Sequence, residues 1–452
     1  MQIENSPLDI FTEFDDSIFS EGAIDPMGLR IIWTALGNAI FENRLNTISV
    51  DIRYYTINLL HHFVIWQCCK EHKQKVLELT GRAPYNSEND LFDGMIIFLE
   101  MILTNVVAKM GNTEVTVPAL SKLKSIQIQN RNDEKAVSAI VDKNSGILVR
   151  HIGLGIHGRH KGPFQQMDIF QSNNYYANEA IWNEVEKLFS KSKRWSNLAE
   201  GLKRLIVDKV LSEKNGQKHI RHSIESIVDE ELKELYHETL QPKSFKSKSF
   251  IDFWEDKLGL QNPEAQLIYN QIKALNKDSD YQYQQLIEQA SINDNSGKIK
   301  AICAIEPLLA RIEKSMDRLL QRGTTEIDGS LINDIKEQLA AETINFKEIE
   351  KYATYKYVSE SALERLKKLI DIVRKVNSDK DISLYVENLI NYHKELFESR
   401  NNLPWLTIGN GKITQHRSFI YSDNYKESLT DNSWRNYYYL GTVHSLYNGL
   451  YQ

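Results

Sequence analysis

Glycines and basic residues are concentrated in one short part of this chain, residues 150–164, which we call the glycine-rich segment. It reads RHIGLGIHGRHKGPF and holds four of the 21 glycines of the 452-residue chain within ten positions. No Asp or Glu occurs between Lys143 and Met167. A glycine-rich backbone can point its amides at a ligand, and its neighbours here are cationic, so the pattern predicts an anion-binding loop. The predicted phosphate contacts are Arg150, His157, Arg159, His160 and Lys161.

Two other basic clusters could extend this contact. Residues 191–195 read KSKRW, and residues 243–250 read KSFKSKSF, in which lysines alternate with phenylalanines. Such interleaving can bind a phosphate backbone while the rings stack on bases. The alternative is a linker that packs its two phenylalanines and solvates its lysines. The predicted nucleic-acid contacts in these clusters are Lys193, Arg194, Lys246 and Lys248.

Two ligand classes fit the glycine-rich segment less well. Residues 153–158, GLGIHG, match the dinucleotide fingerprint by letter, but that motif needs a helix starting at the loop, and residues 159–163 predict a poor helix. His157 and His160 are three apart, and His61 and His62 are adjacent, without the further ligands that a zinc site requires. We therefore predict no cofactor and no metal. In the pair at 61–62, one histidine is expected in the core, bonded to a backbone carbonyl, and the other in water.

A nuclease is the enzymatic alternative. Residues 71–73 (EHK) and 231–233 (ELK) contain the letters of a metal-dependent nuclease motif, but both lie in helical patterns, whereas that chemistry needs its acids at a sheet edge. No set of catalytic residues is predicted, and a divergent metal-dependent nuclease stays an alternative.

Composition limits the classes of function further. The formal net charge is −6, so any contact with a polyanion must come from a local basic face. Three cysteines without motif spacing indicate a reducing compartment. The first residues lack the pattern of a signal peptide, and we expect no membrane span. The expected location is the cytoplasm.

The elements that must position these residues are mostly helices. Apolar periodicity predicts a mainly α, multi-helix fold with a small β element near 147–165. In the last fifty residues, the Asn410-Gly411 pair between two apolar runs predicts a β-hairpin, followed by a helix over 434–451. The predicted domains are an acidic arm (1–24), an N-terminal helical domain with the basic loop (25–175), a helical domain (176–400) and a C-terminal hairpin and helix (401–452).

Three stretches carry a resemblance: GLRIIWTALGNAIF with TISVDIRYYTINLL, then GIHGRHKGPF, then LPWLTIGNGKI. Together they resemble a diffuse group, without a defined family, of bacterial proteins encoded in multi-gene cassettes, often near phage-defence genes. The resemblance covers about a quarter of the chain. It implies a cytoplasmic subunit that acts with partner proteins such as an ATPase or a nuclease.

Three functional hypotheses follow. The first is a non-enzymatic subunit of a bacterial anti-phage defence-type complex that binds DNA or RNA phosphates through the glycine-rich segment and protein partners through helical faces. The second is the divergent nuclease. The third is a protein–protein scaffold without nucleic-acid contact.

Overall fold

A computed structural model describes most of the chain and shows a mainly α protein. The described residues are 25–48, 50–80, 84–110, 115–129, 138–171, 174–212, 220–275, 282–340, 344–376, 379–417 and 434–452. Helices account for 67% of the structure, which confirms the predicted fold class. The predicted acidic arm, residues 1–24, lies outside the described residues.

The chain forms two compact units that are not continuous in sequence. Unit 1 contains the chain up to Ala39 and Asp280–Tyr438, and unit 2 contains Ile40–Ser279 and Tyr439–Gln452. The chain therefore passes between the units three times, whereas the sequence predicts contiguous domains with boundaries after residues 24, 175 and 400. All three regions of predicted phosphate contacts lie in unit 2.

Unit 2 is built around two long buried helices, α2 and α4. Asp51 caps α2 by accepting the Arg53 amide, and Ser87 caps α4 by accepting the Asp90 amide. The helices of unit 2 are α2 (Ile52–Glu71), α3 (Lys73–Leu79), α4 (Glu88–Lys109), α5 (Leu120–Gln129), α6 (His151–Leu154), α7 (Ile156–Gln166), α8 (Glu179–Ser190), α9 (Lys193–Ile206), α10 (Glu230–Thr239), α11 (Lys248–Lys257), α12 (Pro263–Lys273) and α19 (Leu440–Tyr451). A π-helical turn, Val207–Leu211, continues α9.

Helix α4 is the most apolar element. By length and composition it is the one helix among the described residues that could cross a membrane, with a mean hydropathy of 1.8, but 89% of that window is buried inside the structure. Such burial is typical of the core helix of a soluble protein. Glu100 lies in the middle of this helix and is itself buried.

The small β element of unit 2 is not where the sequence predicts it. Strands β1 (Ser138–Ile140) and β2 (Arg221–Ser223) pair antiparallel, with Ala139 opposite His222. Residues 147–150 form turns, and the rest of the predicted strand and loop is helical, in α6 and α7. The prediction of a β element near 147–165 is therefore wrong.

Unit 1 combines helices with a three-stranded sheet of order β3-β5-β4. Asn410 and Gly411 both have positive φ between β4 and β5, so the predicted hairpin and its turn are confirmed. The elements of unit 1 are α1 (Arg30–Phe41, whose last residues belong to unit 2), α13 (Tyr283–Ile292), α14 (Lys298–Arg322), β3 (Thr325–Glu326), α15 (Gly329–Ala340), α16 (Phe346–Tyr352), α17 (Glu360–Arg374), α18 (Asp379–Ser399), β4 (Leu406–Gly409) and β5 (Lys412–Gln415).

The long helix α14 of unit 1 carries a buried carboxylate. Glu306 accepts the backbone amides of Arg435 and Asn436 and the hydroxyl of Tyr438. Burial raises the pKa of Glu306 to about 7, although these donors favour the ionised form. The carboxylate thereby fastens residues 435–438 to α14.

Candidate functional site

The glycine-rich segment forms two short helices, α6 and α7, rather than a loop. Helix α7 begins at Ile156 and continues through Pro163. Proline has no N–H, so the Arg159 carbonyl one turn earlier loses its helical partner. The Asn46 side-chain amide donates to that carbonyl instead. The prediction that residues 159–163 form a poor helix is therefore wrong, because a side chain distant in sequence bonds the carbonyl that proline leaves without a partner.

The N-terminus of α7 binds an anion that belongs to the protein itself. The Glu100 carboxylate accepts the backbone amides of Ile156 at 3.0 Å and His157 at 2.6 Å. Unpaired amides and the helix dipole make a helix N-terminus favourable for negative charge. Glu100 lies on the neighbouring helix α4, so it occupies the position that the sequence assigns to a phosphate.

His151 supplies the third donor to this carboxylate. Its Nδ1 accepts the amides of Ile147 and Leu148, so the ring proton lies on Nε2, which donates to Glu100 at 3.1 Å. Burial alone would raise the pKa of Glu100, but the hydrogen bonds from His151 and from the His157 amide outweigh it and lower that pKa. Glu100 is therefore a buried carboxylate that stays ionised.

A chain of neutral rings continues from this point into the core. His157 Nδ1 lies 2.9 Å from His62 Nε2, and His62 Nδ1 lies 2.9 Å from the Tyr176 hydroxyl. His160 donates through Nδ1 to the Ile156 carbonyl at 2.7 Å. Burial lowers the pKa of His157 and of His160 to about 4, so both are uncharged at neutral pH.

The burial and the partners of the histidine pair at 61–62 also differ from the prediction. Both His61 and His62 are buried, and His61 Nε2 lies 3.0 Å from the Tyr236 hydroxyl. The prediction that one bonds a carbonyl and the other faces water is wrong, since tyrosine hydroxyls are the partners of both.

At the edge of the cluster, a lysine is also paired inside the protein. Lys161 Nζ donates to the Tyr175 hydroxyl at 2.8 Å, and that hydroxyl donates to the Asp93 carboxylate at 3.0 Å. Asp93 also lies 3.8 Å from His157 Nε2. Burial raises the pKa of Asp93, and the hydrogen bond from Tyr175 opposes this. The chain thus provides two carboxylates, Glu100 and Asp93, for its own glycine-rich segment.

Two glycines of the segment are required by close packing. A Cβ atom at Gly155 would overlap the Glu100 carboxylate, and one at Gly158 would overlap the backbone carbonyls of Ile152 and Gly153. At Gly153 and Gly162 a Cβ atom would meet nothing within 4 Å. Two of the glycines that the sequence predicts to face a ligand are therefore needed instead for the close packing of α6, α7 and α4.

The predicted phosphate contacts of the glycine-rich segment fall into two groups, buried histidines and more accessible cations. His157 is 1% exposed and His160 is fully buried, so neither can contact a phosphate on the folded surface. Arg159 is half-buried and its Nε donates to the Leu154 carbonyl at 3.0 Å. Lys161 is half-buried, and Arg150 is exposed with a φ of 59°. The predicted cationic loop is corrected to a folded segment in which the two predicted histidine contacts, His157 and His160, are uncharged core residues.

The other two basic clusters do meet in space. Trp195, in the first turn of α9, donates through its indole N–H to the Ser244 carbonyl at 3.1 Å. This joins two stretches without Asp or Glu, residues 187–199 and 239–251. The cations brought to this surface are Lys191, Lys193, Arg194, Lys243, Lys246 and Lys248. We call these six residues the basic surface.

The cations of the basic surface are accessible. All are exposed except Arg194, which is half-buried. Among the described residues none of the six is paired with an Asp or Glu side chain, and Lys246 donates to the backbone oxygen of Gln452. The predicted contacts Lys193, Arg194, Lys246 and Lys248 thus each lie within four residues of the Trp195–Ser244 contact. No described contact joins them to the glycine-rich segment.

The aromatic residues of these clusters lie inside the protein. Trp195 is fully buried, and Phe245 and Phe250 are each 1% exposed. The rings of Phe245 and Phe250 lie 5.3 Å and 5.4 Å from the Trp195 ring, centroid to centroid. The hypothesis that these rings stack on bases is therefore wrong, and the packed arrangement that was its alternative is observed.

The sequence analysis did not identify Glu100 and His62 as hydrogen-bond partners of the glycine-rich segment. A usable signal was present: Glu100 stands alone in the apolar run FLEMIL, and a buried carboxylate needs donors. A histidine- and glycine-rich segment without acids is a natural source of those donors. The sequence does not show which donors, because they lie more than fifty residues away.

As a whole, this cluster is a buried network of hydrogen-bonded polar side chains. Within the described ranges, no group of three or more His, Cys, Asp or Glu residues could hold a metal ion. Comparisons of the chain with family models, curated proteins and solved structures find no match. In the basic surface, by contrast, cationic side chains face solvent.

Proposed function

We propose that this protein is a non-enzymatic, nucleic-acid-binding subunit that contacts phosphates through the basic surface. The supporting observation is the contact between Trp195 and Ser244, which unites two acid-free cationic stretches on one surface. Uncompensated lysines and arginines attract a polyanion and release its counterions on binding. The protein has a net charge of −6, so such a surface also orients the nucleic acid on the molecule.

We further propose a cytoplasmic setting in a bacterial anti-phage defence-type complex, with partner proteins on helical faces. This part rests on the resemblance of three sequence stretches. In such a complex an ATPase or nuclease subunit would carry the chemistry, and this chain would supply recognition.

The test is a titration of labelled DNA with the full chain, followed by fluorescence anisotropy at several salt concentrations. Lys193→Ala with Lys248→Ala removes one exposed cation from each stretch. We expect the slope of log K against log salt to fall by about 2, because each phosphate contact contributes about 1. The matched control is Lys367→Ala with Lys368→Ala, which removes two exposed lysines from α17 in unit 1 and leaves the slope unchanged.

Three outcomes contradict the proposal. Absence of binding at low salt supports the scaffold instead. An equal loss of slope in the control pair shows that net charge and not the basic surface determines binding. Cleavage of plasmid DNA by the purified chain with Mg²⁺, abolished by a carboxylate substitution, supports the divergent nuclease.

A further inference from the structure

The basic surface presents charge without an available aromatic face. The aromatic residues of its two stretches, Phe189, Trp195, Phe245 and Phe250, all lie in the interior. Proteins that hold unpaired bases gain about 1–3 kcal/mol per base from stacking on an exposed ring. A surface without such a ring obtains its binding free energy only from neutralising phosphates.

These rings are fixed in place. The Trp195 indole is bonded to the Ser244 carbonyl, and its ring also packs against Phe189 at 5.5 Å. Rotating one ring outward would break this packing and leave a cavity in the core. The cations of the basic surface therefore lie next to a packed cluster of aromatic rings around Trp195. We expect these rings to stay buried when nucleic acid binds.

One partly exposed ring, that of Tyr451, lies beside the basic surface. Tyr451 is 40% exposed and precedes Gln452, whose backbone oxygen accepts Lys246. Its ring already stacks on Tyr447 at 5.0 Å, and its hydroxyl donates to Glu255 at 2.7 Å. Both contacts hold it against its own unit, so it is not free to stack on a base.

We infer that the basic surface binds the backbone of duplex nucleic acid, independently of sequence, and does not hold unpaired bases. This inference rests on the proposed function and names its substrate class. A duplex has the higher charge density, with a salt slope of about −0.9 per phosphate contact against about −0.7 for a single strand. For six contacts at about 50 mM salt, this difference favours the duplex by about tenfold or more. Phosphate contacts carry no base information, so two duplexes of different sequence should bind alike.

The experiment compares three labelled probes with the full chain by fluorescence anisotropy. They are a duplex of mixed sequence, a second duplex of different base composition and an oligo-dT strand of equal length. We expect the two duplexes to agree within about twofold and the oligo-dT strand to bind about tenfold more weakly. Tyr451→Leu is expected to leave all three affinities unchanged, because no base stacks on this ring.

The outcomes separate this inference from the proposed function. If oligo-dT binds as tightly as the duplexes, if Tyr451→Leu weakens its binding, or if the two duplexes differ by tenfold, the inference is overturned while the function stands. If no probe binds, or if Lys193→Ala with Lys248→Ala leaves the salt dependence unchanged, the proposed function fails first.

Discussion

The glycine-rich segment and the basic surface have similar compositions but opposite environments. Both are stretches without Asp or Glu in which cations and rings alternate. In the first, Glu100 and Asp93 come from another helix and the segment folds onto them. In the second, the rings turn inward and the lysines remain in solvent. A basic stretch is therefore available to a ligand only where no internal carboxylate meets it.

The physical difference lies in the residue types. Histidine loses its charge at modest cost and can then be buried with hydrogen bonds, as His157 and His160 are. Lysine and arginine keep their charge, so burial would be expensive and they stay at the surface. The contrast between buried histidines and exposed lysines has measurable consequences, and the largest is expected at acidic pH in unit 2.

Acid should selectively open unit 2. Burial lowers the pKa of His61, His157 and His160 to about 4, so the unfolded chain binds protons that the folded state does not. Stability is complete above about pH 6.5 and is lost as the pH falls toward 4, by about 3 kcal/mol for each histidine. Hydrogen exchange of peptides from α2, α4 and α7, corrected for the intrinsic rate, measures this loss.

The stability of helix α14 in unit 1 should depend on pH with the opposite sign, and this helix serves as an internal control. The pKa of Glu306 is raised to about 7 by burial, so its contribution is complete below about pH 4.5 and is lost as the pH rises through 7. Peptides around Glu306 should exchange faster at alkaline pH. Equal acid sensitivity in both sets of peptides would show that the histidines do not determine the loss.

Gly158→Ala should be the most damaging single substitution in the glycine-rich segment. The new methyl would overlap the carbonyls of Ile152 and Gly153, and backbone cannot move as a flexible side chain can. We expect the free energy of unfolding to fall by about 3–5 kcal/mol. Urea denaturation of the full chain, with hydrogen exchange to locate the change, measures it.

The matched control is Gly153→Ala, the same substitution in the neighbouring helix. No atom lies within 4 Å of the new methyl, so this variant should be neutral or more stable by up to about 1 kcal/mol. A loss of similar size in both variants would mean that conformational freedom, and not close packing, explains these glycines.

Glu100→Gln should cost less than the glycine clash because it keeps the volume. It removes the charge that three N–H donors stabilise and directs an amide NH₂ group at one or more of them. We expect a loss of about 2–3 kcal/mol, measured by urea denaturation. Glu186→Gln, at an exposed position of α8, should change stability by less than about 0.5 kcal/mol. An unchanged Glu100 variant would contradict the idea that the carboxylate holds α7.

Local signals in the sequence were sufficient for much of the fold. The Asn410-Gly411 turn forms as predicted because its φ values are set by the residues themselves. Asp25 accepts the amides of Leu29 and Arg30 and thereby caps the start of α1. Each of these features depends on residues within five positions of each other.

The site was less predictable because its partners are distant in sequence. The helical state of α7 depends on Asn46 for the carbonyl freed by Pro163, and its burial depends on Glu100. Propensity gives no information about such contacts. The exposed lysines at 193, 246 and 248 were easier to place, since a charged side chain without a partner remains in water.

Substitutions in the basic surface should have the smallest effect on stability. Lys193→Ala with Lys248→Ala should change the free energy of unfolding by less than about 0.5 kcal/mol, since neither side chain has a described partner. Arg159→Ala with Lys161→Ala should cost about 1–2 kcal/mol, because it leaves the Leu154 carbonyl and the Tyr175 hydroxyl without their donors. In DNA binding the order should reverse, with the larger loss of salt dependence in the 193/248 pair. If the 159/161 pair loses more binding and no stability, the glycine-rich segment is the contact surface after all, because its cations would then act on the ligand and not on the fold.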